Sequence, residues 1–91
     1  MKYEIVPSNQ FKKDLKLAKK LGYDLNKIKK VITALANGET LDAKYRDHLL
    51  TGDYGGYREC HIQADWLLVY QIDGDHLLLF LARTGTHSDL F

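Results

Sequence analysis

Tyr57-Arg58-Glu59-Cys60-His61-Ile62, Trp66-Leu67-Leu68-Val69-Tyr70-Gln71-Ile72 and Leu77-Leu78-Leu79-Phe80-Leu81-Ala82-Arg83 follow one another, with only Gln63-Ala64-Asp65 and Asp73-Gly74-Asp75-His76 between them. Runs rich in aromatic and β-branched residues, parted by turn chemistry, read as strands, and Asp73-Gly74 is a hairpin signal. The reading is an antiparallel meander. Side chains alternate along a strand, so Tyr57, Glu59 and His61 share one face of the first run while Arg58, Cys60 and Ile62 share the other.

Toward the N-terminus, Tyr3-Glu4-Ile5-Val6 reads as a short strand closed by Pro7. Ser8 caps a helix whose apolar positions Phe11, Leu15, Ala18 and Leu21 recur at helical spacing, and Gly22 ends it. Asp24 is a second N-cap, followed by the stripe Leu25, Ile28, Val31, Ile32 and Leu35, which Asn37-Gly38 stops. Two consecutive amphipathic helices form a hairpin that must cover something apolar, and the meander supplies it. The expectation is one α+β domain over residues 1–91, ordered β-α-α-β-β-β, with the antiparallel sheet packed on the helix pair. Leu41 to Gly56 reads mostly as loop, and Thr84 to Phe91 as a mobile polar tail until Leu90-Phe91, which fold back over the site.

Ninety-one residues allow one modest core. The longest apolar run, Leu77 to Ala82, is far short of the ~20 residues that span a bilayer, and Met1-Lys2-Tyr3-Glu4 lacks the apolar segment of a signal peptide. A cytoplasmic location without a membrane partner is expected. Cys60 stands alone, cannot form an internal disulfide, and reads as a small strand residue. The net charge of +1 conceals a polarity: residues 1–45 carry ten Lys or Arg against five Asp or Glu, residues 46–91 three against seven. The lysines of the first half suit phosphate backbones or acidic protein partners, and equally a solvated helix face.

Chemistry concentrates in the second half. His48, His61 and His87 fall at a loop end, a strand end and the C-terminal stretch, which a meander can bring together over its open face. Asp65, just after His61, is close enough to hydrogen-bond that imidazole. Trp66 is either core or a stacking platform for a base. Cleavage of RNA by its own 2′-hydroxyl needs a base, an acid and cations for the phosphate, and histidine suits both proton-transfer roles. Arg58 or Arg83 is available for the phosphate, Arg83 with the better position beside the Thr84-Gly85-Thr86-His87 turn. A zinc site from His48, His61, Asp65 and His87 is an alternative, but no pair shows zinc-like ligand spacing, so no metal and no cofactor is expected. His76 in the hairpin turn reads as structural.

The set Tyr45-Arg46-Asp47-His48-Leu49 with Gly52, Gly56-Tyr57-Arg58 to His61, Asp65-Trp66, and Arg83-Thr84-Gly85-Thr86-His87 to Leu90-Phe91 resembles the YafQ branch of the RelE-type toxins, across essentially the whole chain. That resemblance implies the RelE-like microbial ribonuclease fold and an endoribonuclease that cuts mRNA codons in the A site of the 70S ribosome. A cognate antitoxin, acidic and bearing a DNA-binding domain, is implied as its inhibitor. Carried over residue by residue, it implies acid–base roles for His48, His61, Asp65 and His87, and RNA-holding roles for Trp66 and Phe91; Arg83, from its position beside the turn, is expected as a further substrate contact. One division of roles makes His87 the acid, His61 with Asp65 the base and His48 a phosphate contact, and the same set also allows these roles to be exchanged; the basic helices are expected to face ribosomal RNA. Gyrase-inhibiting toxins of related fold bind a protein target without cutting RNA, and the histidine set argues against that reading.

Overall fold

The sheet is mixed: its first strand, β1 (Glu4–Pro7), lies parallel to the last, Glu4 opposite Leu78 and Pro7 opposite Leu81. The computed structural model describes residues 1–91. Beside β1 run β5 (Leu78–Gly85), β4 (Trp66–Asp73), β3 (Arg58–Gln63) and the two-residue β2 (His48–Leu49), in the spatial order β1-β5-β4-β3-β2. All neighbours other than β1 and β5 are antiparallel. An edge position suits β1, because Pro7 has no N–H to give a ladder.

Helices α1 (Asn9–Lys20) and α2 (Leu25–Ala36) start where their caps dictate. Ser8 Oγ accepts from the Phe11 amide at 2.9 Å and Asp24 Oδ1 from the Asn26 amide at 3.0 Å. Asn37 closes α2, and Gly38 follows at φ +79°, the left-handed geometry that favours glycine. Phe11 and Ala18 of α1, with Ile28, Val31, Leu35 and Ala36 of α2, bury against Cys60, Ile62, Trp66, Leu68, Tyr70, Leu79 and Leu81 of the sheet. Leu21 is not part of that stripe: it sits past the last turn of α1, 62% exposed.

The opposite face of the sheet carries a second, smaller apolar cluster of Leu67, Val69 and Leu90. Strand β4 is therefore buried on both faces from Trp66 to Tyr70, which accounts for its unbroken apolar run.

Three local features differ from the sequence reading. Residues His48 and Leu49 become a strand by pairing with Glu59 and Arg58. Asp73 pairs with Leu78, so the β4–β5 loop has four residues, with Leu77 in the turn at φ +54° rather than in the strand. Asp73 Oδ1 holds that loop by accepting from the amides of Asp75 and His76. Finally, the expected mobile tail is a one-turn helix, α3 (His87–Leu90), opened by a capping box in which Thr86 and Asp89 satisfy each other's amides. No helix is long and apolar enough to cross a membrane.

Candidate functional site

On the face of the sheet away from α1 and α2, the alternation of β3 turns Glu59 and His61 outward, opposite Val69 and Leu67. Pairing of β2 sets His48 directly across from Glu59. The third imidazole arrives with α3, whose Leu90, 6% exposed, packs on Leu67 and Val69. Gly85 permits this return: a Cβ there would lie 3.2 Å from Asp89 and 3.4 Å from Leu90.

The result is a row. Ring centroids are 6.4 Å apart for His48 and His61, 6.1 Å for His61 and His87, and 5.9 Å for His87 and Phe91. His48 Nδ1 lies 2.7 Å from the carbonyl of Arg46. A carbonyl only accepts, so Nδ1 carries the hydrogen and Nε2 faces the site. Glu59 Oε1 lies 3.6 Å from Nε2 of His48 and 3.6 Å from Nε2 of His61, with its side chain 4% exposed. One buried carboxylate thus lies within reach of two imidazoles.

Asp65 is placed differently from the sequence reading. Its Oδ1 accepts from the His87 amide at 3.1 Å and lies 3.6 Å from His87 Nδ1, so it orients His87 rather than His61. The partner of His61 is Glu59, which sequence reasoning placed on the same face without giving it a role. The signal was available, since a carboxylate two residues before an outward histidine on a strand must point the same way.

Trp66 takes the core alternative: it is 1% exposed on the helix face, its ring centroid 4.9 Å from that of Tyr23. Its Nε1–H has no partner, a cost of about 1–3 kcal/mol carried by the packing of its large ring. Phe91 is half exposed at the end of the histidine row, edge-on to Tyr54 with centroids 5.3 Å apart.

Both arginines are already engaged with carboxylates. The Arg83 guanidinium donates to both oxygens of Asp14, at 2.9 and 3.1 Å, and the Thr84 amide adds a third bond. Burial works against the Asp14 charge, but these donors and Gln10 outweigh it and hold its carboxyl below the ordinary 3.8. Arg58 Nε donates to Asp47 at 3.3 Å, and the Tyr70 hydroxyl donates to the same oxygen at 2.6 Å. Asp47 thereby ties the loop before His48 to the sheet. His76 bonds Asp73 in its turn, away from the row. Burial, helped by the charges of Asp47 and Glu59, pushes the Cys60 thiol up to about 12, which leaves it unreactive at neutral pH.

Residues 3–91 match the family model described as a bacterial toxin of type II toxin–antitoxin systems, YafQ. The chain is 47% identical over 89 residues to the mRNA interferase toxin YafQ of Escherichia coli K12, covering 97% of this chain and 95% of that protein. It matches a crystal structure of the E. coli DinJ–YafQ complex at TM-score 0.89 and 44% identity, over 98% of both chains. A metal-bound toxin from Helicobacter pylori matches at TM-score 0.92 and 47% identity, over 98% of this chain and 99% of that one. In the present chain no three His, Cys, Asp or Glu side chains converge closely enough to hold an ion.

Proposed function

Because the chain belongs to the YafQ family of bacterial toxins from type II toxin–antitoxin systems, we propose that it is an endoribonuclease that cuts mRNA by histidine acid–base catalysis. The observation that carries this reading is the row His48, His61, His87, with Glu59 and Asp65 beside it on an open sheet face. A site for phosphodiester transfer needs proton acceptor and donor on neighbouring, oriented groups, and imidazoles meet that need near neutral pH.

In this mechanism His61, with Glu59 behind it, takes the 2′-hydroxyl proton. The O2′–P bond forms as the P–O5′ bond breaks, and His87, held by Asp65, gives its proton to the departing 5′-oxygen. The products are a 2′,3′-cyclic phosphate and a 5′-hydroxyl, so no water or other co-reactant enters the step. His48, once protonated at Nε2, donates to a non-bridging phosphate oxygen. Phe91, exposed beside His87, offers a ring for base stacking. Trp66 supports the sheet from within the core without touching the RNA, and Arg83 acts through Asp14 by tying α1 to β5 just before α3.

The substrate is mRNA in the A site of the 70S ribosome, reached in the cytoplasm; the family resemblance and the lysine-rich helices support that setting. The E. coli relative crystallised with DinJ, and the counterpart proposed here is an acidic cognate antitoxin with a DNA-binding domain. A gyrase-type protein target is disfavoured, because binding a protein would not require three oriented imidazoles.

Induction of the wild-type chain and of His87→Ala in bacteria without antitoxin tests the reading. Growth arrest with ribosome-dependent mRNA cuts, both absent in His87→Ala, is expected. Arrest that persists in the variant would assign the toxin another target.

A further inference from the structure

A groove of about 610 Å³ runs between α2 and the short turn Ala43–Tyr45, with His61 in its wall. That volume lies in the range of ordinary ligand sites. Lys27 and Lys30 line it from α2, and Lys44 and Arg46 from the turn, with no carboxylate among the lining residues. The arginines that do form ion pairs, Arg58 and Arg83, lie elsewhere, and none of these four groove cations is paired with an acid. Lys27 Nζ donates to Gln63 Oε1 at 3.1 Å, and the Lys44 ammonium stands 5.2 Å from the Tyr45 ring centroid.

Arg46 adds a second, independent observation. Its backbone sits at φ +49°, a left-handed conformation that costs a non-glycine residue about 1–2 kcal/mol. Glycine would adopt it freely, yet the position holds a cation. The turn directs the Arg46 carbonyl onto His48 Nδ1, and the same residue lines the groove. One strained residue thus joins the histidine row to the basic groove.

We propose that this groove is the track for the sugar-phosphate backbone of the RNA strand flanking the cleaved bond, with Lys27, Lys30, Lys44 and Arg46 as its phosphate-binding residues. The inference rests on the nuclease reading, and it names where that substrate lies. Continuity decides the ligand: a strand whose phosphate sits at His61 and His87 passes His61 directly into the groove. An acidic antitoxin segment is the weaker fit, since protein interfaces need buried apolar anchors and only Tyr45, Ile62 and Ala64 are apolar here, Ile62 already in the core. Ribosomal RNA shares the chemistry but not the continuity.

The test uses a short, fluorescent 2′-O-methyl RNA, which lacks the nucleophile and cannot be cut. Its affinity is measured against salt for the wild-type chain, for Lys30→Ala/Lys44→Ala/Arg46→Gly, and for Lys13→Ala/Lys16→Ala/Lys20→Ala, which removes as many charges from α1. Glycine at 46 keeps the left-handed turn. Each lost phosphate contact on a single strand lowers the slope of log K against log salt by about 0.7, so the groove variant loses about two units of slope and the α1 variant retains the wild-type slope. Binding to vacant 70S ribosomes and to the antitoxin is measured for the same three proteins. Equal slopes for wild type and groove variant overturn the track, as does a loss confined to vacant ribosomes or to the antitoxin. Cleavage of mRNA on programmed ribosomes separates the two readings: failure of the wild-type chain to cut sinks the nuclease, whereas cutting with an unaltered groove variant sinks the track alone.

Discussion

Truncating Leu90 to alanine isolates the element that completes the histidine row. Leu90 is 6% exposed and packs on Leu67 and Val69, outside the main core between the helices and the sheet. Removing its buried methyls takes about 2 kcal/mol, the low end for a leucine truncation, from the docking of α3. At about 1.4 kcal/mol per decade, the ratio of docked to undocked tail falls about thirtyfold. Native-state hydrogen exchange reads that ratio directly at two amides, Leu90, which donates to the Thr86 carbonyl, and Phe91, which donates to the His87 carbonyl. Both should exchange about thirtyfold faster in Leu90→Ala while the amides of β4 keep the larger part of their protection. RNA cleavage should fall with the docked fraction, because His87 leaves His61 when α3 lifts. Unchanged exchange at Leu90 and Phe91, with cleavage intact, would refute the claim that this side chain holds the tail.

Four other outcomes follow from the same geometry. Glu59→Gln, isosteric and buried, should lower single-turnover cleavage by about a hundredfold or more with the fold intact by circular dichroism, since it removes the charge shared by His48 and His61. Trp66→Phe should reduce stability in urea yet leave cleavage per folded molecule unchanged, because the ring faces the helices. Asp14→Asn should cost about 2 kcal/mol at pH 7 by denaturant unfolding. Because the folded-state value of Asp14 lies below 3.8, its contribution is complete above that pH and is lost as pH falls through the lowered value, so wild type and variant should converge in acid. The single-turnover rate should rise and fall between about pH 5 and 8, and a flat profile would count against paired imidazoles.

The local signals in the chain were readable, and the long-range ones were not. Ser8, Asp24 and Asn37-Gly38 mark helix ends because caps act within three or four residues. The facing of Glu59 and His61 follows from strand alternation alone. By contrast, His48 and Leu49 have no strand character of their own, and pairing with β3 creates it. The alliance of Asp14 with Arg83 joins residues 69 apart, and that of Asp65 with His87 joins residues 22 apart, so neighbourhood in sequence missed the first and gave Asp65 to His61 instead. Helix α3 did carry a local signal, Thr86 and Asp89 at capping-box spacing, but it is too short for periodicity to reveal. Trp66 stayed ambiguous because a strand buried on both faces loses the alternation that would tell inside from outside.

The parallel seating of β1 against β5 has a consequence for the order of synthesis. Strand β5 comes after the other four along the chain, yet it lies inside the sheet, between the first strand and β4. A nascent chain still lacking it has β1 with no strand to pair with, β4 with a bare edge, and no His87. The histidine row is therefore assembled only once β5 and α3 are in place, so a copy cut short before them carries the lysine-rich helices without the third imidazole.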